Sequence, residues 1–363
     1  MFKTRHLFLF STFLLLIASC GSTKPGTESD ATAPPAKPIG APIEIAAPLG
    51  LPAVPIPPGN PPTADTVELG RKLFFDPKLS VDGTISCASC HAPAAGFADP
   101  RRFSLGVGGK AGTRNAPPAL NAVYNSLQFW DGRAATLEDQ AAGPIANPVE
   151  MNMAHTECAN RIDTDPAYRA LFEKAFGPGP ATMDKITKAI ASFERTLVSG
   201  NSPFDKYQFG GDKTAMSPAA IRGLEIFKDP KRGNCVVCHT IGEKDALFTD
   251  GKFHNLGVGL DSKGELTDLG RYNETKVESD KGAFRTPTLR SIAKTAPYMH
   301  DGSQRTLSDV VDFYVGGGSS NPYRDKEIKE LKLSGQERAD LVAFLQALTG
   351  EPPPNSGPIA LNR

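Results

Sequence analysis

The sequence lacks any charge imbalance: 40 Lys and Arg stand against 40 Asp and Glu, with no basic block. That removes the electrostatic footprint of a nucleic-acid binder. It also lacks an apolar run long enough to cross a membrane, the longest being Leu7 to Ile17. No segment shows the apolar–polar alternation of half-buried strands, which leaves helices and loops as the building material. Tryptophan occurs once, at Trp130. Proline and glycine are plentiful, 32 and 35 of 363 residues, and predict long connections between few regular elements.

Lys3 and Arg5 precede the Leu7–Ile17 run, the arrangement of an export signal over residues 1–19. The run ends Leu16-Ile17-Ala18-Ser19-Cys20-Gly21, a context for lipidation of Cys20 that would tether the protein without spanning the membrane. Residues 20–62 are rich in Pro, Ala, Thr and Gly and poor in large apolar side chains, which predicts a flexible linker. Signal, lipid and linker together place the expected globular body in the periplasm of a bacterium.

Cys20 aside, five cysteines remain, and four of them form two Cys-x-x-Cys-His motifs: Cys87–Cys90–His91 and Cys235–Cys238–His239. Two thiols at this spacing add to the vinyl groups of a haem, and the adjacent imidazole becomes the proximal iron ligand. Two copies in an exported chain favour haem over a zinc site. Cys158 has no partner in the pattern and reads as a small buried side chain.

The motifs sit in a longer repeat. Leu69-Gly70-Arg71 with Phe74 and Asp76-Pro77 precedes the first, and Arg222-Gly223-Leu224 with Phe227 and Asp229-Pro230 precedes the second. Asp131-Gly132 with Thr136-Leu137 is echoed at the same offset by Asp301-Gly302 with Thr306-Leu307. The fold class is therefore mainly α: two cytochrome c-like haem domains related by duplication, with long loops and little β. The expected domains are 63–205 and 206–350, followed by a tail at 351–363. A helix over 183–199 is capped by Thr182 and stopped by Gly200, and another starts at the capping box Ser334-x-x-Glu337.

Eight residues beyond Thr136 stands Pro144, and eight beyond Thr306 stands Tyr314. If the repeats superpose, the first haem faces a side chain that cannot bind iron and the second faces a phenol that can. Between His91 and Glu150 there is no His, Met or Cys, so only Tyr124 and a lysine such as Lys110 remain as ligands there. At the second haem Met299, His300 and His254 compete with Tyr314.

These residues, with Arg114-Asn115-Ala116-Pro117, Gln128-Phe129-Trp130-Asp131-Gly132-Arg133 and Pro297-Tyr298-Met299-His300, make the chain resemble the bacterial diheme cytochrome c peroxidases and MauG-type diheme enzymes over roughly 63–350. The resemblance implies peroxide chemistry at an open first haem. Gln140 and Glu150 would be its distal pair, and Trp130 would lie between the two haems. Calcium would be held by Asn115 and the carbonyls of Thr295 and Pro297. His300, in the matching loop, would be structural. Val107 stands where many of the peroxidases have a closing histidine, so no reductive priming is expected. The implied partners are hydrogen peroxide and a small cytochrome c or cupredoxin, with room for a homodimer. The competing expectations are a MauG-type oxidase acting on a protein substrate and a non-enzymatic electron carrier.

Overall fold

The computed structural model describes residues 35–358. The signal at 1–19, Cys20 and the last residues of the tail lie outside the described residues. The described residues from Ala36 onward form a single unit, and within it two cores are distinct.

The first core is built on α1 (Ala64–Phe75), the one-turn α2 (Cys87–Cys90), α3 (Leu137–Ala146), α4 (His155–Asp163), α5 (Pro166–Phe176) and α6 (Met183–Glu194). Leu69, Leu73 and Phe74 of α1 meet Ile186, Ile190 and Phe193 of α6 in full burial. The second core uses α7 (Pro203–Gln208), α8 (Pro218–Lys228), the short α9 (Tyr272–Thr275), α10 (Leu307–Val315) and α11 (Gly335–Gln346). Phe204, Phe227, Phe248 and Phe344 form its aromatic centre. Phe204 falls on the first-domain side of the expected boundary at 205/206 but packs in the second core.

The repeat is visible as one shared packing device. A Cβ at Gly70 would collide with the Ala189 carbonyl of α6, and one at Gly223 with the Asp340 carbonyl of α11. Each glycine lets the helix before its haem motif cross a partner helix at backbone contact. The only strands among the described residues are β1 (Phe253–His254) and β2 (Phe284–Arg285), an antiparallel pair two residues long.

Two expectations need correction. The helix expected over 183–199 ends at Glu194, six residues before Gly200. Beyond it the chain turns, which sends Leu197 and Val198 into the core and lets Arg195 reach Glu138 at 2.8 Å. Gly200 instead admits the Leu49 carbonyl.

The second correction concerns the linker. From Ala36 onward it is a strap bonded to both lobes. Lys188 Nζ donates to the Ala36 carbonyl, Asn60 Nδ2 donates to Glu138 and to the Lys188 carbonyl, and Ala246 N–H donates to the Gly50 carbonyl. Extended Pro-rich chain needs little apolar burial to be ordered when another surface satisfies its backbone.

Among the described residues no helix is long and apolar enough to cross a membrane.

Candidate haem sites and the residues between them

Both Cys-x-x-Cys-His motifs occupy tight turns that end on the histidine. Ser86 opens α2 with a capping box, and the second motif begins in a 3₁₀ turn at Cys235–Val237. The four thiols are free of disulfides, and each motif faces its own cavity.

His91 Nδ1 lies 3.1 Å from the Phe97 carbonyl and His239 Nδ1 lies 2.9 Å from the Phe248 carbonyl. A carbonyl only accepts, so Nδ1 carries the proton in both rings and Nε2 is left for iron. Burial lowers the pKa of each imidazole, which favours the neutral ligand form. Phe97 and Phe248 both have positive φ, 60° and 53°, which is how each loop turns its carbonyl toward the ring. The motifs predicted the histidines but gave no sign of these two carbonyls. The donors and cavities fit two covalently attached haems.

Of the two cavities the first is the larger, about 970 Å³ against about 220 Å³. Its walls include Gln140, Pro144 and Glu150, but among them His91 and Cys90 are the only His, Met or Cys residues. The two other candidate ligands are engaged elsewhere: the Tyr124 hydroxyl donates to the Pro52 carbonyl and Lys110 Nζ to the Pro148 carbonyl.

Glu150 Oε1 accepts a 2.6 Å bond from Asn147 Nδ2. Burial raises the Glu150 pKa, while that bond and the charge of Arg133 pull it down. Asn147 was not singled out in the sequence, although its place three residues before Glu150 in a turn was a usable signal. The Gly-rich loop closes onto the same turn: Val107 N–H donates to the Glu150 carbonyl, and Gly106 allows that approach because a Cβ would strike it. Val107 is buried but is not part of the cavity wall.

The second cavity is lined by His239, Met299 and Tyr314. Burial raises the Tyr314 pKa, with the nearby cysteines adding to it; no hydrogen bond contributes. His254 is excluded as an iron ligand because both its nitrogens are committed, to Asp325 at 2.5 Å and Asp250 at 2.9 Å. Cys238 completes a group with these two residues, Asp250 and His254, whose donor atoms lie within 4.8 Å of one another. A cysteine in thioether linkage and a histidine bonded at both nitrogens do not suit a separate metal. His300 stacks on Phe284 at 3.5 Å and is held neutral by burial, its pKa lowered to about 4. Cys158 is fully buried in the first core.

Trp130 lines both cavities. Its Nε1 donates to the Asn115 carbonyl at 2.8 Å. The Asn115 side chain donates through Nδ2 to the Arg101 and Arg102 carbonyls, which turns Oδ1 away from them. Asn115, Thr295 and Pro297 all border the second cavity. Their uncharged oxygens match the donor preference of a hard cation. Around Trp130 the lobes are joined by Arg114, which pairs with Asp131 and with Asp268 at 2.6 Å, and by Arg271, which donates to the Asp131 and Gly132 carbonyls.

Two cavities, each with an attached-haem motif and a fixed proximal histidine, define a two-haem c-type cytochrome. Residues 64–214 match the model of the di-haem cytochrome c peroxidase family, and residues 220–349 match that of cytochrome c. The chain is 40% identical over 301 residues to the methylamine utilization protein MauG of Methylorubrum extorquens, covering 83% of this chain and 82% of that one. It is 40% identical over 308 residues to cytochrome c551 peroxidase of Nitrosomonas europaea, covering 85% and 87%. Among solved structures, a MauG-like protein associated with microbial copper homeostasis superposes with a TM-score of 0.76 at 34% identity, over 84% of this chain and 95% of that one. The chain belongs to the di-haem cytochrome c peroxidase and MauG family, a family of oxidoreductases whose cytochrome c domains imply two haems c.

Proposed function

We propose that the protein is a periplasmic diheme peroxidase that reduces hydrogen peroxide to water at the first haem, with electrons entering through the second. The observation that carries this reading is the first cavity. It holds His91 as its one iron-ligating side chain, with Pro144 at the position where the second site has Tyr314. An electron carrier would need both positions filled. The bound haem supplies redox-active iron that takes up peroxide and exchanges electrons.

Glu150, as carboxylate, accepts the proton of the incoming peroxide and returns it to the outer oxygen, which leaves as water. Gln140, on the same wall, orients the peroxide or that water. Both sides of the balance close: one peroxide, two electrons and two protons give two waters. Asn147 holds the Glu150 carboxylate in place, and the Val107–Glu150 backbone bond holds Val107 outside the cavity wall. No reductive opening step is then required.

Trp130, bordering both cavities, is the proposed electron bridge, and Tyr314 the distal ligand of the second iron. Asn115 with the carbonyls of Thr295 and Pro297 is the proposed calcium site, and through the Asn115 carbonyl it would keep Trp130 in register. The electron donor is a small cytochrome c or cupredoxin. Cys20 is the proposed lipid tether, so the only membrane association would be through the lipid.

A second reading is favoured by Tyr314. An anionic phenolate on the second iron would lower its potential and stabilise oxidised states, which suits a MauG-type enzyme that applies stored oxidation to residues of a protein substrate.

Stopped-flow spectroscopy of the fully ferric protein mixed with hydrogen peroxide separates the readings. Rapid reaction without priming, followed by catalytic oxidation of a reduced small cytochrome c, supports the peroxidase. A long-lived oxidised state that ignores the cytochrome supports the oxidase. Absence of any reaction with peroxide overturns both.

A further inference from the structure

Four arginines of this chain are buried or largely buried around the two cores, and three of them have carboxylate partners. Arg290 pairs with Asp205 at 2.6 Å, Arg195 with Glu138 at 2.8 Å, and Arg114 with Asp131 and Asp268. Arg285 is the exception. It is 5% exposed, and its hydrogen bonds go to neutral oxygens: Asn125 Oδ1 at 2.9 Å, and the Phe129 and Thr286 carbonyls at 3.4 Å. Among the described residues no acceptor is recorded for Nη2. Burial is the sole influence on its pKa, which is drawn down to about 10, so no anion offsets the desolvation.

Its position is as unusual as its charge. Arg285 lines both haem cavities, as Trp130 does, and its backbone N–H donates to the Trp130 carbonyl at 2.8 Å. Pairing of β2 with β1 sets its place, since Arg285 stands opposite Phe253 in register. A guanidinium buried without a counterion is costly, and the fork of N–H donors matches a carboxylate. Haem c carries carboxylates, its propionates, and when bound would bring them into each cavity.

We propose that Arg285 is a propionate anchor shared by the two haems, taking a carboxylate from each cavity and setting one positive charge between the irons beside Trp130. The inference rests on the two haems and not on which reaction they serve. Pairing a propionate withdraws its negative charge from the iron, so Arg285 raises both midpoint potentials together. It also fixes the haem edges that face Trp130, which makes it a positioning residue for transfer between them.

The test uses the haem-loaded Arg285→Gln and Arg285→Lys proteins. Midpoint potentials are read by spectroelectrochemistry, and propionate contacts by the propionate bending bands in resonance Raman. In Arg285→Gln both potentials are expected to fall. In Arg285→Lys the charge remains and the potentials stay near those of the unmodified protein, but the bending bands of both haems shift because the two-pronged contact is gone. A response confined to one haem overturns the shared anchor, and no response at either haem overturns the propionate contact altogether. Should Arg285→Gln fail to hold haem, the Raman bands of Arg285→Lys decide by themselves. Peroxide turnover of the unmodified protein is measured separately, so a failed anchor cannot be confused with a failed assignment of activity.

Discussion

Pro144 and Tyr314 are the same position of the two repeats: each stands eight residues beyond an N-capping threonine, Thr136 or Thr306, and each lines the cavity of its own lobe. Both helices start on the same cap, with the threonine hydroxyl accepting from an aspartate N–H at N3. One substitution within a duplicated frame therefore separates a wall that cannot bind iron from one that can.

Replacing Tyr314 with Phe removes the phenol and leaves the helix and its burial intact. The low-spin haem signal in electron paramagnetic resonance should change while the high-spin signal stays. An unchanged low-spin signal would transfer the ligand role to Met299.

Replacing Pro144 with His puts a ligand over the first haem. A proline inside α3 has no N–H to give, so its removal restores a helical donor and should not weaken the helix. The high-spin signal should convert to low-spin, and the rate of the ferric protein with peroxide should drop by about two orders of magnitude or more, at least the scale of a lost acid–base step. Retention of the high-spin signal would show that this position does not face the iron.

Glu150→Gln removes the proton relay. The rate of peroxide reaction should fall about 10²- to 10⁴-fold with haem content unchanged. Because the relay starts from the carboxylate, the unmodified rate falls as pH drops through the raised pKa of Glu150, above the ordinary 4.5. Asn147→Ala deletes a bond that lowers this pKa, so its acid limb should move to higher pH. A limb that moves to lower pH, or not at all, would separate Asn147 from the relay.

Glu194 is fully buried on the wall of the first cavity, and its Oε2 has no hydrogen-bond partner among the described residues. Burial is the largest influence on its pKa, raised to about 8, with Arg195 opposing it. A carboxyl with a raised folded-state pKa contributes stability that is complete below about 4.5 and lost as pH rises through about 8. Glu194→Gln should therefore raise Tm relative to the unmodified protein at pH 8.5 more than at pH 5. An equal effect at both would mean Glu194 is paired in the loaded protein.

Chelation at the proposed calcium site, or Asn115→Ala, which removes a side-chain oxygen of that site, should slow electron exchange between the haems without loss of either haem, because the backbone carbonyl of the same residue accepts from the Trp130 indole at 2.8 Å. Flash-photolysis or stopped-flow reduction of one haem followed at the other reads this directly. Equal rates with and without calcium would detach the ion from the bridge.

Much of this protein was legible in its residues because haem attachment is local chemistry. Two thiols and an imidazole at fixed spacing need nothing distant to be recognised, and the duplication then projected Pro144 and Tyr314 onto equivalent sites. Helix caps at Thr182 and Ser334 were readable for the same reason: each bond closes within four residues.

What tertiary structure alone decided is whatever depends on partners far along the chain. The strap at 36–62 reads as linker by composition, yet its carbonyls and Asn60 find donors and acceptors on both lobes, more than a hundred residues away. His254 looked available to iron until Asp250 and Asp325 were seen to hold both its nitrogens. Nothing local in the sequence sets Arg285 apart from the other arginines. Only the closing of the two lobes around Trp130 buries it without a carboxylate, because burial and the absence of a counterion are properties of the packed chain and not of any stretch of sequence.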